Sequence, residues 1–163
     1  MIGWALAIAA GVERLSFIFI DSPIRDLVGT ITWLLFLGFV TLSELRSVLK
    51  KREVTGETIC MAISVYLFIG FSWALLYSLI FQLHPEAFGN LAVTMPGHST
   101  ALVHILPVLG YFSLTTLSTV GFGDITPLTL QARYAAVAEG ITGQFYLAIL
   151  IARLVAMQVS RQH

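Results

Sequence analysis

Charged residues are scarce in this chain. Only 11% of its 163 residues are Asp, Glu, Lys or Arg, whereas a soluble domain typically carries about 25%. Hydrophobic residues make up 57% of the sequence, and its mean hydropathy is +0.87. Nine basic residues balance nine acidic ones, so no excess of positive charge favours a nucleic-acid partner. This composition predicts an integral membrane protein whose partners include membrane lipid and no nucleic acid.

The chain also lacks the usual signatures of catalysis and of a bound cofactor. Its single cysteine, Cys60, excludes a disulfide within the chain. It has no Gly-x-Ser-x-Gly motif and no helix with paired histidines, which a membrane-embedded hydrolase would need. His84, His98 and His104 follow no spacing typical of a metal site. We therefore predict that the protein is not an enzyme, has no catalytic residue and needs no cofactor.

Four apolar stretches have about the length that crosses a bilayer at roughly 1.5 Å per helical residue. They are residues 1–20, 27–43, 58–83 and 128–158. The segment 44–57, which follows the second stretch, holds four of the nine basic residues. The positive-inside rule places this basic loop in the cytoplasm. Counting spans from that loop puts both chain ends on the cytoplasmic side.

One short polar motif lies between the apolar stretches. Residues 118–124 read Ser-Thr-Val-Gly-Phe-Gly-Asp. Glycine adopts backbone angles that other residues avoid, so Gly121 and Gly123 allow successive carbonyls to face one side. Carbonyl rings contributed by four such loops can replace the water shell of a potassium ion. The motif occurs once, so a complete pore would need four chains.

Residues 111–127, Tyr-Phe-Ser-Leu-Thr-Thr-Leu-Ser-Thr-Val-Gly-Phe-Gly-Asp-Ile-Thr-Pro, resemble the pore signature of potassium channels. The resemblance implies a pore module over residues 57–163, preceded by two transmembrane helices and a basic loop in residues 1–52. The module would comprise an outer helix 58–83, a pore helix 107–117 that opens at Pro107, a filter 119–123 and an inner helix 128–158. The expected fold is therefore an all-α membrane protein with four transmembrane helices, a re-entrant pore helix and a selectivity filter, assembled as a homotetramer.

The same resemblance assigns roles to residues in and beside the filter. Potassium would bind at Thr119, Val120, Gly121 and Phe122, with Gly123 at the mouth. Phe122 stands where the family more often has tyrosine. The residues expected to support the filter are Asp124, Tyr111, Thr115 and Ser118, and the Asp124 carboxylate is expected to accept a hydrogen bond from Tyr111 or Thr115.

Further roles are expected along the inner helix. The hinge or gate would comprise Gly140, Gly143, Gln144, Ala148, Ala152 and Val155. Gly143 falls at the family's hinge position, and glycine weakens a helix by about 1 kcal/mol relative to alanine. Close helix packing by a small residue explains it equally well. Glu139 is a costly charge in a membrane helix, and it either braces the pore helix or reaches Arg14 or another polar neighbour.

The expected function is passive, selective conduction of K⁺ across a membrane, with K⁺ as the permeant ion. Two alternatives stay open: a weakly selective cation channel, and an accessory or scaffold subunit that does not conduct. The resemblance favours the inner or plasma membrane of a bacterium.

Overall fold

The computed structural model describes residues 23–51, 55–91 and 102–160. Its helices are α1 (Pro23–Lys50), α2 (Gly56–Leu83), α3 (Leu102–Leu117) and α4 (Leu130–Ser160). A 3₁₀ helix (Pro85–Ala87) and the strand β1 (Phe88–Gly89) follow α2, and the strand β2 (Thr126–Pro127) precedes α4. Within these ranges α1, α2 and α4 are long and apolar enough to cross a membrane, whereas α3 is a shorter apolar helix.

Three of the four predicted spans fall on α1, α2 and α4. The predicted first span, residues 1–20, lies outside the described residues. The described residues are mainly helical, as the all-α prediction requires, and they also include an antiparallel pairing of β1 with β2, in which Phe88 lies opposite Pro127 and Gly89 opposite Thr126. This two-residue pairing joins the chain after α2 to the chain before α4.

Helix α1 starts at Pro23, a residue whose fixed φ and missing N–H suit a helix start. It continues to Lys50, so the first half of the segment 44–57, predicted as a loop, is helical. Residues 44–50 contain neither glycine nor proline, and Val48 is buried against Ala62 and Val65 of α2. Tertiary packing therefore extends the helix into the basic segment.

Helix α2 is the centre of the fold and contacts α1, α3 and α4. The Thr55 side chain caps its start by accepting a hydrogen bond from the Thr58 amide at 3.3 Å. Near its C-terminal end, Tyr77 meets Phe88 and Phe112 in edge-on contacts with ring centroids 5.7 and 5.1 Å apart. Each such aromatic contact contributes about 0.5–1.5 kcal/mol beyond area burial. These rings fix α3 against α2.

Helix α3 begins at Leu102, and Pro107 lies inside it. The prediction that the helix opens at Pro107 is therefore wrong by five residues. The first four amides of a helix have no intrahelical acceptor, so at the sixth position proline removes only one early hydrogen bond. The buried Ile105 and Leu109 on either side of it pack into the core, which offsets that loss.

Helix α4 also begins later than predicted, at Leu130 rather than 128. Residues Thr126–Pro127 are extended, because they pair with β1. The Leu128 amide donates to the Ala87 carbonyl at 2.8 Å, which continues the backbone hydrogen bonding next to the β1–β2 pair by one residue. Thr129 directly precedes the helix, and its carbonyl accepts the first helical hydrogen bond, from the Arg133 amide at 3.0 Å.

Candidate ion-conducting site

The segment 118–124 starts directly at the C-terminal end of α3. The amides of Val120 and Gly121 both donate to the Thr115 carbonyl, at 2.9 and 3.1 Å, and the Thr119 amide donates to the Thr116 carbonyl at 2.9 Å. These bonds satisfy carbonyls that a helix end leaves unpaired. They also fix the segment next to the partial negative charge of the α3 terminus, which favours a cation there.

Alternate residues of the segment have positive φ. The angle is 60° at Thr119, 51° at Gly121 and 77° at Gly123, whereas Val120 and Phe122 lie between them at negative φ. In an ordinary strand successive carbonyls point to opposite sides. Alternating left-handed and right-handed residues rotate the peptide planes so that successive carbonyls share one side. This backbone can present a row of oxygen ligands.

Thr119 was not identified from the sequence as a residue of unusual conformation. Positive φ in a β-branched residue is a genuine outlier and costs about 1–3 kcal/mol. The two glycines gave a sequence signal for the alternation, but a threonine gives none. Strain of this kind accumulates at functional sites, and here it starts the alternation of φ.

Every residue from 118 to 124 is exposed in the single chain, including Val120 at 56% and Phe122 at 68%. The hydroxyl of Ser118 donates back to the Leu114 carbonyl at 2.7 Å, and that of Thr115 to the Phe112 carbonyl at 2.9 Å. Both side chains therefore bond within α3. Thr115 contacts the segment 118–124, called the filter segment below, through its backbone carbonyl.

Tyr111 and Asp124 come together at the outer end of the segment. The Tyr111 ring is parallel to that of Phe122, with centroids 6.2 Å apart and planes at 1°. The nearby Asp124 carboxylate raises the pKa of the Tyr111 hydroxyl, and it accepts the Ile125 amide at 3.0 Å. Of the two partners expected for Asp124, Tyr111 is the one that interacts with it, whereas the Thr115 hydroxyl donates to the Phe112 carbonyl.

Glu139 of α4 lies fully buried behind α3. The Tyr77 hydroxyl donates to its Oε2 atom at 2.6 Å, and Ser113 Oγ lies 2.5 Å from its Oε1 atom. Glu139 thus links α4 to α2 and α3, although a contact with Arg14 falls outside the described residues. Tyr77 and Ser113 were not predicted as site residues, because their partner is 62 and 26 residues away in the chain.

Gly143 marks a close approach of α4 to the end of α3. A Cβ atom at this position would collide with the backbone oxygen of Leu117 and lie 3.0 Å from Leu117 Cδ1. The same atom at Gly140 would only touch the Thr116 carbonyl, at 3.8 Å. Of the two explanations left open for Gly143, close packing therefore has a direct structural basis. The end of α3 that carries the filter segment rests on this glycine.

The remaining residues expected at the gate share one exposed face of α4. Their spacing of four, four and three residues keeps them on one side of a helix: Gln144, Ala148, Ala152 and Val155. On the neighbouring surface, Arg153 donates to the carbonyls of Leu49 and Lys51 at 2.5 and 2.7 Å. This guanidinium ties the last part of α4 to the end of α1.

A short apolar helix followed by a turn of alternating φ lies between two membrane-length helices, and this part of the chain is similar to ion channels. The family described as ion channel matches residues 108–159, a stretch that includes most of α3, the filter segment and nearly all of α4. The potassium channel protein kcv of Paramecium bursaria Chlorella virus 1 is 33% identical over 76 residues, which are 46% of this chain and 77% of that protein. The chain therefore belongs to the potassium channel superfamily. It is an integral membrane channel protein and not an enzyme.

Proposed function

We propose that the protein conducts K⁺ selectively and passively, through a central pore built by four copies of the chain. The alternation of φ in the filter segment is the observation that carries this proposal. The ligands would be the carbonyls of Thr119, Val120, Gly121 and Phe122, with the Thr119 hydroxyl at one end and Gly123 at the mouth. Backbone oxygen suits a hard cation, and stacked carbonyl rings can replace its hydration shell.

The tetramer is supported by what a single chain leaves incomplete. Each chain supplies one carbonyl row, and all of its residues 118–124 are exposed. Large apolar residues on α4 are also more than half exposed: Tyr134, Val137, Ile141 and Phe145. Lipid and neighbouring chains together would cover such a surface. In this assembly Gln144, Ala148, Ala152 and Val155 would line the inner cavity.

We assign the helices accordingly: α2 as the outer helix, α3 as the pore helix and α4 as the inner helix. Residues 1–20 would form a fourth spanning helix ahead of α1. Basic residues near the end of α1 support a cytoplasmic position for the loop between α1 and α2. Both termini would then be cytoplasmic, and we propose a bacterial inner or plasma membrane as the location.

Gly121→Ala tests the ion-binding role of the filter segment. No atom lies within 4 Å of a Cβ at Gly121, so space is not the obstacle. The obstacle is φ of +51°, where a side chain costs roughly 1–2 kcal/mol. We expect the substitution to abolish or degrade K⁺-selective flux in proteoliposomes. Unchanged flux and reversal potential would refute the filter assignment.

Gly38→Ala is the matched control, because Gly38 lies within α1, also has nothing within 4 Å of its Cβ and has no positive φ. This variant should conduct as the wild-type protein does. Reversal potentials in mixed K⁺ and Na⁺ separate a selective channel from a weakly selective one. Absence of wild-type flux would favour the accessory-subunit alternative.

The mass of the purified assembly tests the stoichiometry independently. Native mass measurement in detergent or nanodiscs should give four subunits. A monodisperse monomer or dimer that still conducts would refute the tetramer while leaving the filter assignment intact.

A further inference from the structure

A buried cluster of four polar groups lies behind the filter segment, at the junction of three helices. The Glu139 carboxyl comes from α4, Ser113 from α3, and the Tyr77 hydroxyl and Gly70 carbonyl from α2. Ser113 Oγ lies 2.5 Å from Glu139 Oε1 and also 2.7 Å from the Gly70 carbonyl oxygen. Tyr77 donates to Glu139 Oε2 at 2.6 Å. The Glu139, Ser113 and Tyr77 side chains have no measurable exposure.

Counting hydrogens in this cluster gives a definite result. Three oxygen–oxygen contacts are short enough to need one hydrogen each. The two hydroxyls of Tyr77 and Ser113 supply two hydrogens, and the Gly70 carbonyl supplies none. A Glu139 carboxylate would supply none either, so one contact would be a close approach of two lone pairs. A protonated Glu139 supplies the third hydrogen.

With that proton, the hydrogen bonds form a continuous chain. Tyr77 donates to Glu139 Oε2, the protonated Oε1 donates to Ser113, and Ser113 donates to the Gly70 carbonyl. Every polar group is then satisfied, which a buried network requires if it is to stabilise the fold. Gly70 lies where α2 and α3 pack closely, since a Cβ atom added there would lie 2.7 Å from Leu114 Cδ2.

The surroundings of Glu139 favour the uncharged form as well. The titratable groups that face it from α2 are Tyr77 and the more distant Tyr66, and neither carries positive charge. From α3 it meets Ser113, which does not titrate. Among the described residues no lysine, arginine or histidine forms an ion pair with it. An unpaired carboxylate buried in a membrane protein is costly, whereas a neutral acid with two hydrogen-bond partners is not.

We propose that Glu139 is a neutral carboxylic acid at neutral pH, and that this proton-binding site positions the pore helix by joining α4, α3 and α2. Glu139 is a positioning residue, since it acts on the filter segment through α3. When Glu139 loses this proton at alkaline pH, one of the three oxygen–oxygen contacts in the cluster has no hydrogen. The link between α4 and α3 then weakens, and the filter segment loses part of its support. The flux consequence rests on the proposed function, but the protonation state does not.

Infrared spectroscopy measures the protonation state directly. Purified full-length protein with isotope-labelled glutamate should show, at neutral pH, the carbonyl stretch of a protonated acid. Glu139→Gln should remove this band. Glu57→Gln is the matched control, because Glu57 is an exposed glutamate of α2 beside Lys51, and this variant should retain the band. A wild-type spectrum without the band, or a band that survives Glu139→Gln, would overturn the proposal.

Substitution supplies a second readout that does not depend on conduction. The glutamine amide donates and accepts hydrogen bonds as the neutral acid does, so Glu139→Gln should retain the wild-type melting temperature, whereas Glu139→Ala should lower it. An equal loss in both variants would show that the native group is the carboxylate.

Where flux is measurable, wild-type flux should fall at alkaline pH and the flux of Glu139→Gln should not. A parallel fall in both proteins would refute the positioning role. Failure of all flux with an intact infrared band would count against the proposed function alone.

Discussion

Replacing Gly143 with alanine distinguishes a packing glycine from a flexible hinge. The new methyl group would meet the backbone oxygen of Leu117 at the end of α3. A flexible side-chain end could move aside, but a helix backbone cannot move without displacing its neighbours. The substitution should therefore push α3 away from α4 and disturb the segment that α3 carries.

The size of the effect follows from two opposing contributions. Overpacking a well-packed contact costs about 1–3 kcal/mol. Alanine stabilises a helix by about 1 kcal/mol relative to glycine. Because the obstacle is backbone, we expect the first contribution to exceed the second and the variant to lose up to about 2 kcal/mol of stability. A pure hinge would behave oppositely, because stiffening α4 would raise stability while impairing gating.

Gly140→Ala is the control on the same helix, one turn earlier. Its Cβ would make an ordinary contact with the Thr116 carbonyl at 3.8 Å, so only the helix-propensity gain of up to about 1 kcal/mol applies. Thermal unfolding of both variants in one detergent, followed by circular dichroism, compares them directly. The reasoning fails if Gly143→Ala melts at or above the wild-type temperature.

Three further predictions concern the outer mouth, the inner end and the voltage response. Asp124→Asn and Tyr111→Phe should each shorten the conducting state. Because the two side chains interact, single-channel recordings of the double variant should show non-additive effects, and additive effects would place Asp124 in solvent. Arg153→Gln should cost about 1 kcal/mol of thermal stability, because it removes a charged donor from carbonyls at the end of α1; an unchanged melting temperature would contradict that role. Opening should depend weakly on voltage, since residues 27–43 carry no charge; an effective valence above about four per tetramer would imply an overlooked sensor.

Sequence patterns alone determined the membrane character of the chain and the position of the segment 118–124, whose backbone alternates between positive and negative φ. Both depend on local features: long runs without charge, and glycines at 121 and 123 after a short apolar stretch. These features do not depend on tertiary contacts, because burying charge in lipid is unfavourable in any fold and because glycine itself tolerates positive φ. The same local information also located the stretches that became α1, α2 and α4.

Tertiary structure decided what depended on residues distant in the sequence. Packing against α2 extends α1 into the basic segment as far as Lys50, and burial of Ile105 allows α3 to begin before Pro107. The partners of Glu139 lie on two other helices, so no spacing along α4 could reveal them. Gly143 shows the same limit, since glycine in a sequence signals a bend or a close contact equally well. Only the Leu117 backbone beside it selects close contact, because steric exclusion requires the neighbouring atoms to be in place.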